Sequence, residues 1–234
     1  MSEVPRKWSY SKLGVIAAVG VGLFGVLLLK INWDDILKPN RDVKEREKFE
    51  KTVEQVQVDS RRGTEYFNSP SYDALVGQGE ANAQRLRDSI TEPNRTHLLS
   101  LLALREISSD LYEKMPRDLK ARILTDALNQ AVYFNSWGVP QLYAQTSDSL
   151  RPAPVQAIID LGREALPYLE PLRAQQRSAP RWGSEEQLQD DTLHYRVADY
   201  AIALISAIQG EQFPGRAARD GLIETQLGQM AVIR

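Results

Sequence analysis

The longest apolar run in the chain lies near its N-terminus, where residues 13–29 read LGVIAAVGVGLFGVLLL and carry no charge. At about 1.5 Å per residue, a helix that extends to Ile31 roughly reaches the ~30 Å thickness of a bilayer's hydrocarbon core. A cleaved signal peptide is the alternative, but no small-x-small cleavage site follows the run before Lys30. The pattern therefore predicts a transmembrane anchor over residues 13–31, preceded by a short basic tail over residues 1–12.

Amphipathic rings flank the predicted anchor. Trp8 and Tyr10 precede the run and Trp33 follows it, and such side chains are enriched at membrane–water interfaces. A count of basic residues leaves the orientation open, because lysine and arginine occur on both flanks. A short basic N-terminal tail usually stays in the cytoplasm. We therefore expect a single-pass protein whose domain is extracytoplasmic, and periplasmic if the source is bacterial.

Small residues form a stripe along the predicted anchor. Gly14, Ala18 and Gly22 follow i, i+4, i+8, and Gly25 lies close to the same stripe. Small residues at this spacing let a second helix approach closely. The stripe predicts a membrane protein partner or a homo-oligomer formed through the anchor, although glycine is also common in membrane helices in general.

Beyond the anchor, apolar residues recur at helical spacing. Phe49, Val53 and Val56 follow i, i+4, i+7 and predict a stalk helix that starts at Asp42. Pro116 opens a second amphipathic stretch, PRDLKARILTDALNQAVYF. The prediction is an all-α chain with no strand pattern. Its parts are the basic tail and the anchor, a linker and stalk helix over 32–71, a helical domain over 72–210, and a loosely packed C-terminal tail over 211–234.

Two segments of the predicted domain resemble each other. When Gly79 and Gly162 are aligned, residues 74–86 and 157–169 share an alanine, two aliphatic residues, the glycine and a leucine seven positions later. Each segment is followed by a strongly apolar helix, HLLSLLALREI in the first and YRVADYAIALISAI in the second. The offset is 83 residues at the glycines and 100 in the following helices, so the second segment carries a 17-residue insertion.

The second segment resembles a known class of helical repeats. The pattern LGxxALPxLxxL over 161–172 and the stretch RVADYA over 196–201 resemble the HEAT and HEAT-like (lyase-type) repeat families. The resemblance covers residues 153–210 well and residues 72–107 weakly, where Gln84 replaces the proline of the pattern. It implies an irregular HEAT-like repeat domain. A single irregular helical bundle is the alternative.

The insertion reads AQQRSAPRWGSEEQLQDD over residues 174–191. Insertions on helical-repeat scaffolds often project from the binding face, and tryptophan and arginine are enriched at interface hot spots. Arg177, Arg181 and Trp182 are therefore the predicted partner-binding residues. The alternative is that Trp182 folds back and caps the core, as large aromatic residues often do.

One cluster of titratable residues follows this insertion. Asp190, Asp191 and His194 fall within one helical turn, a spacing that suits a metal or an acid-oriented base. Acidic residues before an apolar run also favour a helix N-terminus by capping it, and we prefer this second interpretation. No catalytic residue, metal site or cofactor is predicted. Some HEAT-like relatives attach or release chromophores, so a cofactor-handling enzyme or an envelope ligand-binding protein that uses this cluster and the Trp182 region remains the alternative function.

Composition narrows the function further. The net charge is −2, with 29 basic and 31 acidic residues and no basic run, so the sequence lacks the footprint of a nucleic-acid-binding protein. It has no cysteine, which excludes disulfides and thiolate chemistry. It contains no phosphate loop, dinucleotide fingerprint or zinc-protease motif. The sequence predicts a membrane-tethered protein–protein interaction module that acts as a scaffold, assembly factor or accessory subunit of a membrane complex.

Overall fold

The computed structural model describes residues 33–62, 69–130, 134–144, 151–181 and 194–232, and these residues are mostly helical. No strand occurs among them apart from a single bridge between Ser178 and Arg196. The predicted all-α fold is confirmed. The helices are α1 (Trp33–Arg62), α2 (Pro70–Val76), α3 (Ala83–Ser89), α4 (Leu98–Ile107), α5 (Ser109–Glu113), α6 (Arg117–Gln130), α7 (Ala153–Leu161), α8 (Leu166–Leu169), α9 (Val197–Gln209) and α10 (Arg216–Val232).

Short 3₁₀ turns join several of these helices. They occur at Glu80–Asn82, Arg95–His97, Asn135–Trp137, Pro140–Leu142, Gly162–Ala165 and Glu170–Ala174.

The predicted anchor, residues 13–31, lies outside the described residues. No helix within the described part is long and apolar enough to cross a membrane. The chain divides into two compact units, residues 1–48 and 49–234. The described part of the first unit is the beginning of α1, and the second unit contains the rest of α1 and all the other helices.

Two helices differ in length from the sequence expectation. α1 begins at Trp33 rather than at Asp42 and continues through Pro39. A proline costs a helix one backbone hydrogen bond, and local propensity alone therefore placed the start too late. At the other end, α10 is a 17-residue helix where the sequence suggested a loose tail. Its buried Ile223 packs with Ala198 of α9, a contact that local sequence does not reveal.

Two helices form the centre of the 49–234 unit. In α4 the six residues from Leu99 to Leu104 are all buried, and in α9 the ten residues from Val197 to Ser206 are all buried. A helix that is apolar on every side is expected in the interior, with other elements around it. α2 and α3 pack against α4, and α7 and α8 pack against α9.

The internal similarity of the sequence reappears in the backbone. Each segment runs from a helix through a glycine into a 3₁₀ turn and a second helix, and a long buried helix follows. Gly79 has φ +67° and Gly162 has φ +61°, a region that favours glycine. Leu86 and Leu169, seven positions after these glycines, are both buried in the core. The two halves therefore share one order of elements around equivalent turns.

The buried hydroxyl of Tyr112 makes no hydrogen bond within the described part of the chain. Tyr112 is 2% exposed, and its hydroxyl lacks a partner there. Its ring faces the Lys120 ammonium, 4.2 Å from the ring centroid. Tyr112→Phe keeps that ring and removes the unpaired hydroxyl, so we expect the free energy of unfolding to rise by about 1 kcal/mol. Urea denaturation at pH 7 measures the change.

The matched control is Tyr143→Phe. The Tyr143 hydroxyl donates to the Trp137 carbonyl oxygen at 2.7 Å, and both residues are buried. Its removal leaves a buried carbonyl unpaired and should lower the free energy of unfolding by about 1–3 kcal/mol. Loss of stability in Tyr112→Phe comparable to that of the control would contradict our interpretation of the Tyr112 hydroxyl.

The Tyr112 hydroxyl should also make the free energy of unfolding depend on pH. Burial raises the pKa of Tyr112 to about 12, from its ordinary value of 10.0. Between these values the folded state binds more protons than the unfolded state, so this contribution to stability is complete below pH 10 and is lost as the pH rises through 12. Tyr112→Phe should therefore lose less stability than the wild type between pH 9 and 11.

Candidate partner-binding surface

The first part of the insertion, residues 175–181, is held against the chain segment that leads into α9. The Ala179 amide donates to the Tyr195 carbonyl oxygen at 2.9 Å, and the Val197 amide donates to the Arg177 carbonyl oxygen at 3.0 Å. Ser178 lies between these bonds and forms the single bridge with Arg196. The backbone of this segment is therefore fixed by main-chain pairing, and we call residues 175–181 the strap.

Arg181 anchors the end of the strap inside the domain. It is 6% exposed, and its guanidinium donates to the Tyr200 hydroxyl at 2.7 Å and to the Gly138 carbonyl oxygen. Its Nε atom is buried without a partner among the described residues. Hydrogen bonds to charged groups are stronger than neutral ones. Arg181 therefore connects the strap to α9 and to Gly138, which follows the turn at Asn135–Trp137.

An aromatic cluster surrounds this anchor. The Tyr200 ring lies 4.8 Å from the Phe134 ring, 6.2 Å from Tyr143 and 6.0 Å from Tyr195. These tilted and edge-on arrangements are the favoured ones for aromatic pairs. Burial raises the pKa of Tyr143 well above its ordinary value and the pKa of Tyr195 to about 12. The Tyr143 hydroxyl donates to the Trp137 carbonyl oxygen, and the Tyr195 hydroxyl accepts from the Gln141 side chain.

A network of charged side chains stabilises the start of α9, next to the strap. Asp199 is 1% exposed and accepts from the Arg196 amide at 2.8 Å and from Nε of Arg219 at 2.9 Å. Arg196 also contacts Asp220 at 2.6 Å. The hydrogen bonds that Arg196 donates to Asp199 raise the pKa of Arg196, and the bond that it donates to Asp220 lowers the pKa of Asp220. This network connects the N-terminus of α9 to α10.

The three predicted partner-binding residues occupy different environments. Arg177 is exposed, and its side chain makes no hydrogen bond within the described part of the chain. Arg181 is buried and bonded internally, so it supports the surface without lying on it. Trp182 lies outside the described residues. The strap therefore exposes the Arg177 side chain to solvent and fixes Arg181, the residue before the segment 182–193.

The two described ends that flank residues 182–193 lie next to each other. Ala179 pairs with Tyr195 across the strap, and Arg181 and His194 follow and precede that pair in sequence. His194 is exposed and has φ +46°, the one described non-glycine residue with a positive φ. This backbone conformation is less favourable for a side-chain-bearing residue. Its neighbour Tyr195 accepts from the Ala179 amide and so belongs to the main-chain pairing of the strap.

The alternative site, the cluster from Asp190 to His194, falls mostly outside the described residues. Asp190 and Asp191 lie outside the described residues, and no group of three or more potential metal ligands occurs within the described ones. His97 is buried, and burial lowers its pKa. Its Nδ1 atom has no partner among the described residues.

Gly14, Ala18, Gly22 and Gly25 lie outside the described residues, as do Trp8 and Tyr10. Trp33 begins α1, and its side chain is outside the description.

Sequence reasoning missed the residues that hold the site together. Asp199 and Arg219 are 20 positions apart and meet only because α10 packs on α9. The spacing of Arg196 and Asp199 was a local signal, since an acidic side chain at the third helical position commonly accepts from the backbone amide of the N-cap residue, as Asp199 does from Arg196. The role of Arg219 had no comparable signal.

No protein-family model, curated protein or solved structure matches this chain.

Proposed function

We propose that the chain is a membrane-tethered protein–protein interaction module, which serves as a scaffold, assembly factor or accessory subunit of a membrane complex. Its anchor is residues 13–31, and its domain is an irregular HEAT-like helical domain outside the cytoplasm. The small-residue stripe of the anchor receives a membrane protein partner or a second copy of the chain.

The attachment of the strap to the helical domain is the observation that carries this proposal. Main-chain hydrogen bonds hold the strap against the segment that leads into α9, and the buried guanidinium of Arg181 fixes its end. Binding residues are commonly carried on loops that a rigid scaffold positions. An anchored segment loses less conformational entropy on binding, so Arg177 is well placed to contact a partner. For Trp182, which lies outside the described residues, the sequence alone suggests the same role.

The repeated order of elements supports the HEAT-like interpretation. Gly79 and Gly162 occupy equivalent turns, and each turn leads to a long buried helix. Stacked helical units of this kind bury a continuous core while they leave their connecting segments at the surface. The long insertion of the second unit is therefore the natural place for a specific contact.

A pull-down of the full-length protein in mild detergent, followed by mass spectrometry, tests the proposed function. We expect the wild type to retain a stoichiometric set of membrane proteins. The double variant Arg177→Glu, Trp182→Ala should retain at least about tenfold less of that set, since loss of two central contacts commonly costs more than 1 kcal/mol each. Arg163→Glu is the matched control, because Arg163 is also exposed and lies outside the strap.

Two results would argue against the proposal. A wild-type protein that purifies alone as a monomer would remove its basis and favour ligand binding or catalysis. Equal loss of partners in the double variant and in Arg163→Glu would show that the strap has no specific role.

A further inference from the structure

His97 is a buried histidine at the point where the central helix α4 begins. It is 5% exposed and closes the 3₁₀ turn Arg95–His97, directly before Leu98, the first residue of α4. Its Nδ1 atom is buried and has no hydrogen-bond partner among the described residues. A neutral imidazole can leave this nitrogen as an uncharged lone pair, whereas in the imidazolium both nitrogens are charged donors. Protonation would therefore place a charged N–H group in the interior without an acceptor, which is costly.

The backbone on both sides of His97 is attached to other helices. The Arg95 amide donates to the Asp126 carboxylate of α6 at 2.8 Å. The Leu99 amide donates to the Ser60 hydroxyl of α1 at 3.2 Å, and both of these residues are buried. The start of α4 must therefore separate from α1 or α6 before the backbone at His97 can move toward solvent.

The electrostatic surroundings of His97 disfavour a positive charge on its ring. Charged residues on the neighbouring segments are Glu92 and Arg95 in its own segment, Asp126 on α6, and Asp59, Arg61 and Arg62 near the end of α1. Burial lowers the pKa of His97 by more than Glu92 raises it, so the pKa lies below its ordinary value of 6.5. The aligned peptide dipoles at the N-terminus of α4 also oppose a positive charge there.

We propose that His97 makes the attachment of α4 to α1 and α6 sensitive to acid, so that mild acidification opens the start of α4. The ring binds a proton readily only in water, and it reaches water when the bonds of Arg95 and Leu99 break. This inference does not depend on the proposed function.

The direction of the pH effect follows from the proton balance of the two states. Above pH 6.5 neither the closed nor the opened form carries the extra proton, so His97 has no effect on opening. Below pH 6.5 the opened form binds a proton that the closed form does not. The equilibrium constant for opening should therefore rise by up to about tenfold per pH unit, until the pH reaches the lowered pKa of the closed form.

Urea unfolding of the full-length protein in mild detergent, at pH 7.5 and at pH 5.0, tests the proposal. The variants are His97→Gln and His97→Leu, which cannot titrate and keep every other ionisable group. Between the two pH values, the unfolding equilibrium constant of the wild type should rise at least about fivefold more than that of either variant. Circular dichroism establishes that each variant is folded, and the polar His97→Gln keeps the comparison decisive if His97→Leu unfolds.

His194→Asn is the matched control. His194 is the other of the two histidines in the chain, and it is exposed. Asparagine tolerates the positive φ of this position better than most residues. This variant should therefore keep the acid response of the wild type.

Amide hydrogen exchange at pH 5.0 locates the opening. Peptides that cover residues 95–101 should exchange at least about fivefold faster in the wild type than in His97→Gln. Peptides from α9, which does not contact the turn at His97 in this way, should differ less between the two proteins. NMR of the protein with labelled histidines gives the titration midpoint of His97 directly, and His194→Asn assigns its signal.

Four outcomes would overturn the inference. These are the same acid response in the wild type and both His97 variants, a titration midpoint of His97 at or above 6.5, loss of the acid response in His194→Asn, and faster exchange in α9 than at the start of α4. The combination of a lowered midpoint, an acid response that disappears in both His97 variants and faster exchange at residues 95–101 would support it.

Discussion

Replacing Asp199 with alanine is expected to lower the free energy of unfolding by about 3–5 kcal/mol, because it leaves buried arginine charge without its counter-ion. Asp199 is 1% exposed and Arg219 is 5% exposed, and their contact distance is 2.9 Å. Arg219 also lies over the Phe213 ring at 4.8 Å, so no shift toward solvent can occur without loss of that contact. For a domain of this size the melting temperature should fall on the order of 10 °C.

Differential scanning calorimetry of the full-length protein measures this change, and two further variants interpret it. Asp160→Ala removes a carboxylate that is 43% exposed and pairs with Arg105, so its effect should stay within about 1 kcal/mol. The double variant Asp199→Ala, Arg219→Leu removes both buried charges and should be less destabilised than Asp199→Ala alone. Equal effects of Asp199→Ala and Asp160→Ala would contradict the assigned role of the network.

Gly138→Ala is expected to lower the free energy of unfolding by about 4 kcal/mol, from two separate costs. Gly138 has φ +62° and ψ −167°, a region almost restricted to glycine, where a side chain costs about 1–3 kcal/mol. An added Cβ would also lie 2.7 Å from Cγ of the Pro152 ring, a rigid neighbour, and such overpacking costs about 1–3 kcal/mol. The substitution should also weaken the attachment of the strap, because the Gly138 carbonyl oxygen accepts a hydrogen bond from Arg181.

Gly79→Ala separates these two costs. Gly79 has φ +67° and ψ −168°, nearly the same backbone conformation, but an added Cβ would meet nothing within 4 Å. Its effect should therefore be limited to about 1–3 kcal/mol of backbone strain. Urea denaturation of both variants gives the difference, and a Gly79 variant as unstable as the Gly138 variant would show that the contact with Pro152 contributes nothing.

The apolar periodicity predicted much of the helical structure correctly. Phe49, Val53 and Val56 were expected to share one helix face, and all three are buried. The helix expected after Pro116 is α6. These successes have one cause, which is that a helix with one apolar stripe must turn that stripe toward a core. The limits of α1 and α10 were misjudged because a proline and several glycines reduce local helix propensity, and the preference of individual residues does not decide where a packed helix ends.

In the candidate surface, too, local sequence leaves the environment of single residues undecided. Arg177 and Arg181 are only four positions apart and identical in type, so local sequence treats both as interface residues. The structure exposes the first and buries the second. The difference arises because Tyr200 and the Gly138 carbonyl oxygen, which belong to distant segments, offer acceptors to Arg181 alone.

The sequence alone determined the all-α class, the apolar faces of the helices, the similarity of the two glycine-centred segments and the presence of one uncharged apolar run of 17 residues. Each depends on spacing along the chain, and helical periodicity turns spacing directly into a face. Tertiary structure decided the burial of Arg181, the joining of α9 to α10 by Asp199 and Arg219, and the attachment of the start of α4 to α1 and α6. These features bring together residues 19 to 43 positions apart, and only the packing of whole helices fixes such distances.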